Sequence, residues 1–169
     1  MSWLPPADGR TPLDRVFGHC PELYARYRDF AGRLWWSHPV DPILLELCRL
    51  RIAQLLCCDA ELAVRYAPAR VAGLDEAKIA ALVTWPTHPA YSPRERACLG
   101  FAEQFVVGPR GISDDAVASV TTHLTAAEMV ALTEALAVFD GFMRFRLLLG
   151  VGATPTGICD PRPDAGSAD

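Results

Sequence analysis

No cluster of lysine and arginine stands out in this chain. With a formal charge of -4 and a pI near 5.5, it offers no attractive field to phosphates, and nucleic acid is not an expected partner. The first residues, MSWLPPADGRTPLDR, lack the basic start and apolar run of a secretory signal. Charged residues interrupt every hydrophobic stretch well short of the ~20 residues that cross a bilayer. A soluble, cytoplasmic protein with no membrane partner is therefore expected. The six cysteines, Cys20, Cys48, Cys57, Cys58, Cys98 and Cys159, have no disulfide-framework spacing, and in a reducing compartment most remain thiols. None of His19, His38, His88 and His123 stands at ligand spacing from a thiol, so neither a metal site nor a cofactor is expected. No segment alternates apolar and polar residues as a half-buried strand would.

What the chain does have is apolar content at helical spacing. At 169 residues and 51% hydrophobic, it suits one domain with a sizeable core. Prolines and glycine at 5, 6, 9 and 12 make residues 1–12 an arm, and the Pro, Gly and Asp content of 153–169 makes that stretch a flexible tail. The folded domain is then 13–152. Pro21 suits the first position of a helix running to Trp36, with Leu23, Tyr27, Phe30 and Leu34 on one face. Asp41 can cap a helix begun by Pro42 and ending near Cys57. A further helix is expected from Asp59 to Ala72, stopped by Gly73 and kinked or shortened by Pro68. Leu74 before Asp75 and Leu124 before Thr125 mark two more starts, with Ile79 and Met129 able to close hydrophobic staples. Ser92 with Glu95, and Thr125 with Glu128, have the spacing of capping boxes, and the last helix, Thr125 to Leu149, is the longest. The expected architecture is an all-α bundle of six or seven helices.

Chemistry concentrates in ELCRLRIAQLLCCDAELAVRYA, Glu46 to Ala67. On one continuous helix, Cys58, Glu61 and Arg65 would lie in a stripe roughly 60° wide and could face one pocket. A nearby cation or helix start would lower the thiol pKa of Cys58. Arg65 does not give up its proton, so it could hold an anion but not shuttle protons. The plainer alternative is a Glu61–Arg65 surface ion pair, worth about 0.3–0.5 kcal/mol, beside a buried Cys58. Adjacent Cys57 and Cys58 point about 100° apart on a helix, which disfavours a disulfide between them. Cys48 or Cys98 could serve as a second thiol, though a structural role suits both. The aromatic group of Trp35 and Trp36 with Phe30 and Tyr27 could line a pocket for an apolar ligand, or pack in the core.

Over about four fifths of its length the chain resembles the carboxymuconolactone decarboxylase superfamily, the AhpD-like group. The stretches concerned are DRVFGHCPELYARYRDF, VDPILLELCRLRIAQLLCCDAELAVRYAPARVAGLDEAKIAAL, SPRERACLGFAEQFV and ALTEALAVFDGFMRFRLLLGV. The most specific part is Glu-x-x-Arg-Leu-Arg-x-x-Gln, here Glu46, Arg49, Leu50, Arg51 and Gln54. In the peroxidase branch a Cys-x-x-Cys is followed by a His four residues on, with a Glu on the preceding helix completing a proton relay. Aligned here, the first Cys is Cys58, the second is replaced by Glu61, the His by Arg65, and the relay Glu is Glu46. Another branch carries Cys-x-Tyr-Glu-Trp, which this chain approaches at Cys58 and Glu61 while holding Ala60 and Leu62 at the aromatic positions. The resemblance implies an AhpD-like helical bundle and a catalytic group of Cys58, Glu61, Glu46 and Arg65, with Trp35, Trp36 and Gln54 toward a small-molecule substrate. It implies lyase or isomerase chemistry on a lactone or related acid. The alternatives are an alkylhydroperoxidase-like thiol oxidoreductase and a non-catalytic helical oligomer that binds a ligand or partner. A homo-oligomer, trimer or hexamer, is the expected assembly.

Overall fold

The computed structural model describes residues 3–5, 7–152 and 157–162. Among these, nine α-helices run in the order α1 (Pro12–Phe17), α2 (Pro21–Trp36), α3 (Pro42–Leu55), α4 (Asp59–Leu62), α5 (Ala67–Val71), α6 (Glu76–Ala80), α7 (Pro93–Val107), α8 (Asp114–Thr121) and α9 (Ala126–Leu148). The helix starts written in the sequence form as expected. Asp41 accepts the amides of Ile43 and Leu44 at 2.8 and 3.2 Å. Both capping boxes close: Ser92 with Glu95 and Thr125 with Glu128. Each such cap stabilises by ~1 kcal/mol, because it satisfies amides that have no partner within the helix.

α3 is the axis of the bundle and packs against α7 and α9. It is buried nearly all round: Leu44, Leu45, Leu47, Leu50 and Ile52 are sealed from solvent, and so are Glu46 and Arg49. Each buried leucine contributes ~1.5–3 kcal/mol, and that burial sustains a central helix carrying two charges. Against this axis lie Leu99 and Phe101 of α7 and Leu132, Leu136 and Phe139 of α9.

Two expectations about secondary structure are corrected, the continuous helix over 59–72 and the absence of strands. The helix expected over 59–72 is broken: α4 ends at Leu62, a strand β1 (Val64–Tyr66) follows, and α5 begins at Ala67. Pro68 explains the break, since in a continuous helix its ring would clash with the carbonyl of Val64, whereas it is tolerated in the first turn of a new helix. The released residues pair in parallel with a second strand, β2 (Gly157–Cys159), in the register Val64↔Gly157, Arg65↔Ile158, Tyr66↔Cys159. So the chain has a small sheet where none was expected, and part of the tail is packed. Trp36 Nε1 donates to Asp160 Oδ1 at 3.2 Å, and the Arg162 guanidinium lies 5.0 Å over the Trp36 ring. The remainder of the tail, 153–156 and 163–169, lies outside the described residues. The arm is partly packed too: Arg15 Nε donates to the Gly9 carbonyl at 3.2 Å and His19 Nε2 meets the Pro5 carbonyl at 3.1 Å. Its residues 1, 2 and 6 are outside the description.

Between α3 and α4 the chain turns through Cys57, which has a positive φ of 52°. Side chains pay ~1 kcal/mol or more in this left-handed region, and β-branched residues pay most. Cys57→Val is therefore expected to destabilise by about 1–2 kcal/mol in urea unfolding, while Cys57→Gly leaves stability equal or higher. The turn matters because it delivers Cys58 and Glu61 against α3.

Candidate functional site

Glu46 and Arg49 stand one turn apart on α3, so their side chains meet. Arg49 grips Glu46 with two bonds, Nε to Oε2 and Nη2 to Oε1, both 2.7 Å. Its Nη1 reaches across to α4, donating to Glu61 Oε2 at 2.8 Å and to the Glu61 carbonyl at 2.9 Å, while Nη2 also donates to the Val64 carbonyl at 2.9 Å. Arg146 of α9 closes the chain, its Nη1 2.9 Å from Glu61 Oε1. The four residues are between 1% and 4% exposed. Two carboxylates and two guanidiniums thus balance in charge without water. Burial works against the Arg49 charge, but the Glu46 carboxylate, and then Glu61, outweigh it and raise its pKa.

Two atoms of the group, Glu61 Oε1 and Arg146 Nε, are left without a hydrogen bond. Glu61 Oε1 is buried and accepts no hydrogen bond, and the contact from Arg146 lacks hydrogen-bond geometry. A buried carboxylate oxygen that accepts no hydrogen bond costs roughly 1–3 kcal/mol, offset in part here by the Arg146 charge 2.9 Å away. Glu61 and Arg49 form the polar end of a cavity walled by Tyr27, Trp35, Tyr66, Phe139 and Met143, with about 20 Å³ of free space. That is room for one water or for the reacting end of a larger molecule. The Tyr66 ring lies between the stacked Trp35 ring, centroids 4.2 Å apart, and the Arg49 guanidinium 4.9 Å from its centroid. Burial, and after it the Glu61 charge, push the hydroxyls of Tyr27 and Tyr66 above the usual phenol range, so both remain protonated donors at neutral pH.

The sequence-derived candidates separate. Glu46, Glu61 and Trp35 converge. Cys58 sits at the N-cap of α4 and is 1% exposed. Burial pushes its thiol up; the Glu61 amide pulls it down, the Glu61 charge pushes it up again, and Arg146 and Arg49 do not cancel the rise. The net direction is upward, opposite to the lowering that a nearby cation gives on its own. Arg65 does not join the site. Because the helix stops at Leu62, Arg65 turns outward, donating to the Leu62 carbonyl at 2.7 Å and pairing with Glu76 at 3.2 Å. Trp36, 39% exposed, is held by the tail rather than the cavity. Gln54 accepts from Arg51 Nη1 at 2.8 Å, and Arg51 in turn pairs with Glu103 of α7. Neither lines the Glu61 cavity. Nor do Cys48 and Cys98, which are buried in the core.

Sequence reasoning gave no role to Arg49 and omitted Arg146 and Tyr66. The i, i+3 spacing of Glu46 and Arg49 was a usable signal for the first; Arg146, far along the chain, had none. A labelling experiment checks the state of Cys58: with iodoacetamide at pH 8, exposed Cys20 and Cys57 are expected to react well ahead of it. Its modification should rise only at higher pH, because the buried neutral thiol is favoured until pH passes its raised pKa.

The model of the Carboxymuconolactone decarboxylase family matches residues 21–104, and the chain belongs to the carboxymuconolactone decarboxylase (AhpD-like) superfamily. Among its relatives, the uncharacterized protein YnjA of Escherichia coli (strain K12) is 26% identical over 148 residues, covering 86% of this chain and 79% of that protein. A protein of unknown function from Agrobacterium tumefaciens shares the fold with a TM-score of 0.71 at 21% identity, covering 82% of this chain and 94% of that one. An uncharacterized peroxidase-related protein from Ralstonia eutropha JMP134, solved as an alkylhydroperoxidase AhpD core, does so at 0.70 and 14%, covering 84% and 76%. Within the superfamily this chain is divergent: Glu61 and Arg65 stand where the peroxidase motif has its second cysteine and its histidine. No helix among the described residues is long and apolar enough to cross a membrane.

Proposed function

We propose that this chain is an acid/base enzyme of the lyase or isomerase type acting on a small organic molecule, with Glu61 as the group that takes and returns the proton. The carrying observation is the Glu61 carboxylate at the polar end of an aromatic cavity, with its Oε1 ion-paired to Arg146 but accepting no hydrogen bond. In this reading Arg49 and Arg146 hold the carboxylate in place. Oε1 accepts a proton from the substrate carbon, and the electron pair left behind moves onto an adjacent carbonyl oxygen. The protonated hydroxyls of Tyr27 and Tyr66 are the available donors to that oxygen. Glu46 is a positioning residue, since both its oxygens are spent on Arg49 and the Tyr66 amide. Cys58 is buried at the N-cap of α4, and its carbonyl accepts the Glu61 amide at 3.0 Å, which helps fix the start of the turn that carries Glu61.

The test is hydrogen exchange at carbon, followed by NMR in heavy water across a set of lactones and cyclic ketones. Exchange or turnover by the parent that Glu61→Gln loses supports the reading; equal rates in both remove Glu61 from the mechanism.

A thiol oxidoreductase remains the second reading, favoured by the Glu61 amide and the two guanidiniums acting on Cys58. It requires that Cys58 be oxidised by an added hydroperoxide and reduced again by a dithiol, as thiol counting would reveal. We further expect the chain to self-associate, since Leu23 and Phe30 of α2 and Leu147 and Leu148 of α9 are exposed. A monomer in sedimentation at micromolar concentration would contradict that.

A further inference from the structure

The Glu61 cavity is too small for a whole substrate, yet a larger hollow adjoins it. Tyr27, Ala31 and Tyr66 form its wall on one side and, on the other, line a second hollow of about 530 Å³. That volume is within the range of small-molecule sites. The outer wall is the C-terminal strap: Cys159, Asp160 and Pro161 line it, held by the β1–β2 pairing and by Asp160 and Arg162 on Trp36. These residues lie beyond the 21–104 match to the family model, so the family motif says nothing about them.

The lining points to a class of ligand. Tyr24 and Tyr27 present nearly parallel rings, 11° apart with centroids separated by 6.5 Å, both stacked on Phe17 and Tyr27 also on Phe142, and their edges and remaining faces give the hollow an aromatic wall suited to a flat ring. The charged groups lining the hollow balance, Arg10 and Arg28 against Asp14 and Asp160. Both carboxylates are already satisfied, Asp14 by the Tyr24 hydroxyl at 2.7 Å and the Thr11 amide at 2.9 Å, and Asp160 by the Trp36 indole and Arg162. Beyond the tyrosines, Arg49 and Arg146 are matched by Glu46 and Glu61. The inner compartment therefore carries no net charge, and the lining of the outer one cancels in formal charge, with the one further cation, Arg162, paired to Asp160 and exposed to solvent screening.

We propose that the hollow beneath the C-terminal strap is the substrate chamber, and that it takes a flat, uncharged ring compound whose reactive end passes Tyr27 and Tyr66 to reach Glu61. This rests on Glu61 as the reactive group for its direction, though the chamber is tested separately. Cys159, whose thiol burial pushes up to about 11, is a neutral part of the wall.

The probe is 2-naphthol, uncharged at pH 7, set against the anion 2-naphthoate, with binding to the full chain followed by fluorescence. The expected result is saturable one-to-one binding of 2-naphthol, at least tenfold tighter than 2-naphthoate. Cys159→Trp places an indole in the chamber and should weaken 2-naphthol at least tenfold, whereas Val83→Trp, at an exposed site, should not. Should Cys159→Trp fail to fold, the parent serves: 2-naphthol should slow alkylation of Cys159, read by peptide mass spectrometry, while Cys20 reacts unchanged. Absence of saturation, 2-naphthoate binding as tightly, undiminished binding by folded Cys159→Trp or absence of protection would overturn the chamber. Failure of 2-naphthol to bind while Glu61→Gln abolishes turnover discards the chamber and keeps Glu61; saturable binding with Glu61→Gln fully active keeps the chamber and discards Glu61.

Discussion

Glu61→Gln is expected to lower the rate at carbon by roughly 10²- to 10⁴-fold, the usual contribution of a positioned acid/base group. Glutamine has the same shape and keeps an oxygen for Arg49 Nη1, so the cavity and the α3–α4 contact persist. What is lost is the acceptor for a substrate proton. The change also leaves the guanidiniums short of one negative charge, so stability should drop, by roughly 1–3 kcal/mol, without unfolding the chain at 25 °C. Circular dichroism with a melting curve separates the two effects: a folded variant with a rate near zero is the expected result, and a folded variant with the parent's rate sinks the proposal. Glu46→Gln should behave differently. Because Glu46 acts through Arg49 and the Tyr66 amide, its loss should shift rate and substrate affinity together without removing the base.

Arg49→Met is expected to be the most destabilising single change in the site, by about 3–5 kcal/mol, because it leaves buried Glu46 without a cation and Glu61 with Arg146 alone. For a chain of this size that corresponds to a fall of roughly 6–20 °C in Tm. The attraction within the ion chain does not by itself make it more stable than an apolar core would be; the penalty comes from the charges left unpaired. Hence Glu46→Gln combined with Arg49→Met should recover part of the loss. The comparison is Arg65→Ala, whose pairing with the 58%-exposed Glu76 side chain should be worth only ~0–1 kcal/mol. A melting temperature for Arg49→Met within 2 °C of the parent would mean that the ion chain does not hold α3, α4 and α9 together.

The two experiments address different links in one argument. α3 affords a buried Glu46–Arg49 pair because five aliphatic side chains on the same helix supply the burial. That pair sets Glu61, and Glu61 lines the cavity while one of its oxygens, ion-paired to Arg146, accepts no hydrogen bond. A large stability loss for Arg49→Met alongside an unchanged rate for Glu61→Gln would describe a structural ion network in a non-catalytic bundle.

Local rules made much of the fold legible. Pro42 behind Asp41, Ser92 with Glu95 and Thr125 with Glu128 each specify a helix start through contacts three or fewer residues apart, and all three form. The Glu46–Cys58–Glu61 grouping was readable for a similar reason, on spacing and family resemblance together. The failure at Arg65 was also local in origin: the 100° step of a helix was carried past Pro68, whose ring ends it.

The sequence alone determined the all-helical architecture, the central charged helix and the family, because propensity, capping and motif spacing act over a few neighbouring residues. Only the tertiary structure decided which cations hold Glu61. Arg146 arrives from α9, near the other end of the chain, and Arg65 is turned away by a strand that exists because β2 pairs with it. Tertiary packing likewise sealed Cys58 and built the chamber wall from the C-terminal strap. Such contacts depend on which surfaces meet when the helices pack, and no local pattern of residues encodes that.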